Sequence, residues 1–263
     1  MAVEELGPAW IKFGQILSNR PGLLPDALTE ELTRLQDKVA PMTPEEVNRV
    51  IADSFGRPVS EVFQHFNPEP IGSASIAQVH LARLHNGEQV AVKIQRPGIE
   101  AMIRGDLILM RDLAALMNRS GDYAKLRPVQ LVEVFEKSIL EELDFLAEQG
   151  HLLWFAEKFR DENNIKIPAV YQEYSTSKVI TLEYLEGVNI RETDKLRELN
   201  CDLAFIARKG FEAYARQIFE WGYFHADPHP GNLLILPGNV IGILDFGMVG
   251  RLNDRDRIYY WSG

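Results

Sequence analysis

Apolar positions along the first part of the chain recur at helical spacing. Between Pro8 and Asn19 the residues Trp10, Phe13, Ile16 and Leu17 share one side, and Arg20-Pro21-Gly22 ends the run. Pro25-Asp26 opens a second predicted helix with Leu28, Leu32 and Leu35 on one side. Thr43-Pro44-Glu45-Glu46 opens a third, with a capping hydroxyl, a proline at the first helical position and an acid at the third. The period then changes. Ser75 to Leu84 and Glu88 to Gln95 alternate apolar and polar residues around Asn86-Gly87, a dipeptide that favours a tight hairpin. Helical periodicity returns from Ile99 to Asn118 and from Pro128 to about Phe159. Val179 to Leu185 is β-rich and ends at Glu186-Gly187, and a further helix is predicted from about Asp202 to Trp221. Two short apolar runs, Leu233 to Leu236 and Val240 to Leu244, flank Pro237-Gly238-Asn239. No internal repeat interrupts this order, which predicts an α+β fold.

Composition narrows the class. The 263 residues carry 46% apolar and 25% charged side chains, as ordinary globular proteins do. A net charge of −10 argues against an extended nucleic-acid surface. Cys201 is the only cysteine, so no intrachain disulfide forms and a reducing compartment is expected. The apolar stretch from Leu107 to Met117 is broken by Arg111 and Asp112, and Met-Ala-Val-Glu-Glu lacks the basic start of a signal peptide. The expected location is cytoplasmic or an organelle matrix.

Several motifs carry candidate chemistry. Ile71 to Val79 has the form G-x-A-x-x-A-x-V through Gly72, Ala74, Ala77 and Val79, the spacing of a phosphate-covering loop with alanines in place of two glycines. A tight turn of small residues has the same appearance. Val90-Ala91-Val92-Lys93 ends an apolar strand on a lysine, which calls for phosphates or a carboxylate to neutralise it. His225-Ala226-Asp227-Pro228-His229-Pro230-Gly231-Asn232 fits a phosphotransferase catalytic loop: Asp227 orients the attacking hydroxyl and Asn232 reaches a magnesium ion. A rival reading makes His225, Asp227 and His229 a zinc or iron site. Ile243-Leu244-Asp245-Phe246-Gly247 is a D-F-G segment whose Asp245 binds magnesium. Thr181 to Gly187 has the form of an inter-lobe strand, with the backbone of Glu183 and Leu185 facing an adenine edge. An acid must offset Lys93. Glu141, Asp144 and Glu148 fall on one helical face with Glu142 turned aside, and Glu148 is the expected partner, with Glu142 the alternative.

With these motifs, the sequence resembles the UbiB/AarF family of atypical kinases, which are protein-kinase-like and linked to isoprenoid-quinone biosynthesis. Lys12-Phe13-Gly14-Gln15 matches the family's KxGQ motif, Ala74 to Ala77 its alanine-rich loop, and Glu142-Leu143-Asp144 its ExD motif, with Glu148 in the position of the helix glutamate. The resemblance implies a two-lobed kinase-like fold: a helical KxGQ extension over residues 1–56, a first lobe with a helical insertion over 57–186, and a partial second lobe over 187–263. It implies that Lys12 and Gln15 reach the cleft together and that Lys12 pairs with Glu142. It further implies ATP and Mg2+ as cofactors, doubtful transfer to proteins in trans, and a lipid-like quinone precursor, a membrane surface and quinone-synthesis proteins as partners. The chain ends sixteen residues after Gly247, so the expectation is a fragment of a longer protein. Two other readings use the same loop: a small-molecule kinase of the aminoglycoside or choline type, and a nucleotide-binding scaffold without catalysis.

Overall fold

The computed structural model describes residues 7–18, 40–119 and 127–253. The helix expected after Pro25 lies outside them. Packing divides the chain into two compact units: Met1–Glu88, Val92–Leu143 and Thr176–Val179 in the first, and Gln89–Ala91, Asp144–Ser175 and Ile180–Gly263 in the second.

In the first unit, α1 spans Pro8–Ser18 and α2 spans Pro44–Phe55. The predicted capping box opens α2: Thr43 Oγ1 accepts from the Glu46 N–H at 3.2 Å and Glu46 Oε2 from the Thr43 N–H at 2.8 Å. Val47, Val50 and Ile51 are its buried face. A single turn, α3 (Val59–Val62), leads to strands β1 (His65–Ser73), β2 (Ala77–Arg83) and β3 (Gln89–Gln95), neighbours in chain order. β1 pairs antiparallel with β2, its register shifting on either side of Pro70, as suits an edge strand whose prolines donate nothing to the ladder. At the predicted Asn86-Gly87 turn, the Leu84 N–H donates to the Glu88 carbonyl at 2.9 Å and Gly87 takes φ 92°.

Long helices α4 (Ile99–Asn118) and α5 (Pro128–Glu142) pack on one another and on α1. Ile99, Ile103, Leu107, Met110 and Ala114 form the inner stripe of α4, and Phe13 of α1 meets Phe135 of α5 edge-on at 4.9 Å. Asp106 of α4 seats the start of α1 by accepting the Ala9 N–H at 3.1 Å. A Cβ on Gly7 would run into that carboxylate, so a larger residue there would displace the Asp106 side chain from its hydrogen bond to Ala9.

His80 of β2 is fully buried. Its Nδ1 donates to the Asn67 carbonyl at 3.0 Å and its ring stacks on Phe66. Burial lowers its pKa below the ordinary 6.5, the Asn67 hydrogen bond opposing only in part. A depressed histidine contributes stability above its unfolded pKa and loses it as pH falls through the folded value. Resistance to urea is therefore expected to decline below about pH 6.5. His80→Gln should flatten that dependence, and an unchanged slope in the variant would refute the assignment.

The periodicity from Pro128 to about Phe159 does not form one helix. α5 ends at Glu142 and α6 spans Phe145–Lys158, because Asp144 leaves the helical conformation (φ −95°, ψ 91°) and caps α6, its Oδ1 accepting the Leu146 and Ala147 N–H groups at 3.0 and 3.2 Å. The predicted acidic face of Glu141, Asp144 and Glu148 is therefore not continuous.

In the second unit, β4 (Ile165–Lys166), β9 (Val240–Ile243), β8 (Leu233–Leu236) and β6 (Val188–Asn189) form a sheet in that order. β8 and β9 are the predicted hairpin, turning on Gly238 and Asn239 at φ 80° and 61°. β5 (Val179–Glu183) precedes them in the chain, and α7 (Thr193–Glu198) follows β6. α8 (Leu203–Ala215) is capped by Asp202 and runs into a π-helical turn, Arg216–Trp221. β7 (Tyr223–His225) pairs antiparallel with β10 (Val249–Arg251). Phe155 of α6, Phe159 at its C-cap, Trp221, Tyr223 and Phe246 interlock as the unit's aromatic core.

Candidate active site

Asn232 and Asp245 of the candidate site are brought together because β8 and β9 are in register. Leu233 faces Ile243 across the hairpin, and one step out the Leu244 N–H donates to the Asn232 carbonyl at 2.9 Å. Asn232 and Asp245 thus sit at one end of the hairpin. Asn232 Nδ2 points to the Asp227 carbonyl at 3.5 Å, and the Asn232 N–H donates to the His229 carbonyl at 2.9 Å.

His225 ties this loop to the D-F-G segment. The Asp227 N–H donates to His225 Nδ1 at 3.2 Å, so Nε2 carries the proton and donates to the Asp245 carbonyl. Burial holds the imidazole below its ordinary pKa, outweighing the Asp245 carbonyl and the Asp245 and Asp227 charges, which act the other way. It is a neutral bridge. Asp245 Oδ1 accepts the Gly247 N–H at 2.9 Å, and His151 of α6 bonds the Phe246 carbonyl through Nδ1 at 2.9 Å. Glu148, 1% exposed, lies one helical turn before His151.

His229 braces the turn, with Nδ1 accepting the Gly231 N–H at 3.2 Å and Nε2 facing Arg191 Nη2 at 2.7 Å. Both His225 nitrogens are committed and a guanidinium stands against His229. The zinc or iron reading of His225, Asp227 and His229 therefore fails, and among the described residues no three His, Cys, Asp or Glu side chains are grouped to hold a metal. Asn232 and Asp245 instead offer hard oxygens, the donor type Mg2+ accepts from proteins when phosphates complete its shell.

At β5, the Glu183 N–H donates to the Ala169 carbonyl at 2.8 Å, while its side chain accepts the Ala169 N–H at 3.0 Å and pairs with Lys166 at 2.7 Å. Leu185 is buried just beyond.

The remaining candidates belong to the first unit. Lys93 is half-buried on β3. Gly72 pairs with Val79 across β1 and β2, and the Ala74 N–H donates to the Ala77 carbonyl at 2.8 Å, closing the alanine loop. Lys12 Nζ donates to Glu142 Oε1 at 2.8 Å, with side chains only 15% and 11% exposed. This pairing was implied by the resemblance. Gln15 lies on α1, three residues after Lys12.

The ABC1 atypical kinase-like domain matches residues 34–262. A Marinobacter nauticus protein described as "Probable protein kinase UbiB" is 40% identical over 264 residues, covering 98% of this chain and 48% of that protein. The chain belongs to the ABC1 (UbiB/AarF) family of atypical kinases. "Protein ACTIVITY OF BC1 COMPLEX KINASE 7, chloroplastic" from Arabidopsis thaliana is also 40% identical, over 95% of this chain and 36% of its own length. Among solved structures, one titled "The complex structure of Rv3197-erythromycin from Mycobacterium tuberculosis" superposes with a TM-score of 0.63 at 33% identity, covering 95% of this chain and 63% of that one. The fold is α+β and kinase-like. This chain spans about half the length of curated relatives such as the Marinobacter nauticus protein. Among the described residues no helix is long and apolar enough to cross a membrane.

One residue that holds the alanine loop from outside it, just after β3, escaped the motif reading. Arg96 donates from Nε to the Ala74 carbonyl at 3.0 Å, from Nη2 to Ser73 Oγ at 2.9 Å and from Nη1 to the Ala40 carbonyl at 2.9 Å, while its N–H donates to the Ile76 carbonyl. The loop is shaped by a planar donor fork that lysine does not reproduce. If the loop covers a nucleotide's phosphates, Arg96→Lys should weaken nucleotide binding several-fold, because the charged hydrogen bonds that shape the loop are worth about 1.5–3 kcal/mol each. Equal affinity in a titration of wild type and variant would contradict this.

Proposed function

We propose that the chain is an ATP-binding, magnesium-dependent atypical kinase or ATPase of the UbiB type, supporting ubiquinone or other isoprenoid-quinone biosynthesis. The observation that carries the reading is the hairpin register that brings Asn232 and Asp245 together, with Asn232 Nδ2 reaching back to the Asp227 carbonyl. Phosphoryl transfer asks a protein mainly for positioning and for charge placed against phosphate oxygens. Under this reading Lys93 holds the α- and β-phosphates, Glu148 orients Lys93, and Asn232 and Asp245 hold Mg2+. Asp227 positions the acceptor hydroxyl or water. Gly72, Ala74, Ala77 and Val79 cover the phosphates, and Glu183 and Leu185 present backbone to the adenine. Mg2+, when bound, neutralises charge that develops on the transferring group.

Lys12 and Gln15, with Glu142 and Asp144, regulate access to the cleft, which disfavours peptide acceptors. The acceptor side suits a lipid-like phenolic precursor handled at a membrane surface with other quinone-synthesis proteins, in a cytoplasmic or organelle-matrix setting. The experiment is ATP binding and turnover with and without Mg2+, and with and without liposomes and a phenolic quinone precursor. Mg2+-dependent binding that is lost in Lys93→Met supports the reading, and metal-independent or absent binding overturns it.

A further inference from the structure

The peptide groups of His225 are gripped by two side chains that lie outside every motif of the loop. Gln217, in the π-helical turn after α8, is 1% exposed, and its Oε1 accepts the His225 N–H at 2.9 Å. Tyr214, at the end of α8, donates its hydroxyl to the His225 carbonyl at 3.0 Å. Both backbone polar groups of one residue are thus satisfied by a single neighbouring helix end. The π turn makes this possible, because its wider winding alters where successive side chains project, and such turns often occur at functional sites. Burial first, and the nearby charge of Asp227 second, hold the Tyr214 phenol above its ordinary pKa, so it remains a hydroxyl donor.

His225 is two residues before Asp227, and its ring reaches the Asp245 carbonyl. A change in the height of its backbone therefore moves Asp227 relative to Asn232 and Asp245. Neither Gln217 nor Tyr214 belongs to the alanine loop, to β5 or to the Mg2+ pair.

We propose that Tyr214 and Gln217 are positioning residues that set the placement of the Asp227 carboxylate and so control turnover rather than nucleotide affinity. This rests on the catalytic reading of Asp227. A misplacement near 1 Å at a reacting group costs on the order of 10²-fold, whereas binding contacts made elsewhere are unaffected.

The test compares Gln217→Leu, Gln217→Glu (which keeps an acceptor oxygen in place) and Tyr214→Phe with wild type. It measures kcat for ATP, nucleotide Kd, and hydrogen exchange of the His225 amide in protein labelled with ¹⁵N-histidine. The expected result for Gln217→Leu is a kcat lower by about tenfold to a hundredfold, a Kd within about twofold, and faster exchange at His225. Gln217→Glu should recover most of kcat, and Tyr214→Phe should lower kcat several-fold with Kd unchanged. Full kcat alongside accelerated exchange overturns the proposal, as does a Kd that weakens in step with kcat. Should Gln217→Leu fail to fold, Tyr214→Phe carries the same comparison. Wild-type turnover indifferent to Asp227→Asn would refute the catalytic reading instead. The His225 exchange rate would then decide the anchoring alone, accelerated exchange supporting it and unchanged exchange overturning it.

Discussion

Asp245→Asn is expected to lower Mg2+-dependent ATP turnover on the order of 10²–10³-fold while leaving the fold intact, because a carboxylate facing a divalent cation supplies several kcal/mol. The substitution is nearly isosteric, and its surviving Oδ1 keeps the hydrogen bond from the Gly247 N–H. The Asp245 carbonyl, which receives His225 Nε2, is untouched. What disappears is the negative charge beside Asn232. The loss should be partly recovered by raising Mg2+, since a weakened ligand set demands a higher cation concentration. Turnover within about threefold of wild type at low Mg2+ would separate this site from the chemistry and favour a nucleotide-binding scaffold.

Much of the fold was legible because its signals are local. Thr43 and Glu46 cap one another three residues apart, Asn86-Gly87 turns a hairpin between alternating runs, and Gly238-Asn239 does the same at the site. The groups of the candidate site were legible for the same reason: Asp227 to Asn232 and Asp245 to Gly247 are short strings whose spacing points to that chemistry. The break at Leu143-Asp144 was hidden, because helical periodicity runs through Glu-Glu-Leu-Asp-Phe-Leu and only the capping preference of Asp144 marks the boundary. β1 was obscured by Pro68 and Pro70, which read as breakers in sequence and as edge-strand residues in space. Arg96, Tyr214 and Gln217 left no trace, since each acts on backbone groups outside its own motif and no period records such a partner.

Phe155→Ala should cost about 3–5 kcal/mol of stability, a large part of the roughly 5–15 kcal/mol that holds a typical domain. Phe155 is fully buried, and its ring lies 4.6 Å from Phe246, 4.9 Å from Trp154 and 5.5 Å from Tyr223. Truncation leaves a void under several rings at once, which these stiff side chains cannot close without leaving their rotamers. Trp154 and Trp221 report on this unit, so near-ultraviolet circular dichroism during urea unfolding reads the loss directly. Leu153→Ala, on the same helix but 41% exposed, is the control and should cost well under 1 kcal/mol more than its surface change implies. The effect also reaches the chemistry. Phe246 packs on Phe155 and on His225, so loosening that ring frees the D-F-G segment from the imidazole that ties it to Asp227. Phe155→Leu, which refills most of the volume, is expected to restore both stability and turnover. A Phe155→Ala protein that unfolds within about 1 kcal/mol of wild type would show that the aromatic cluster is not what holds Asp245 in place.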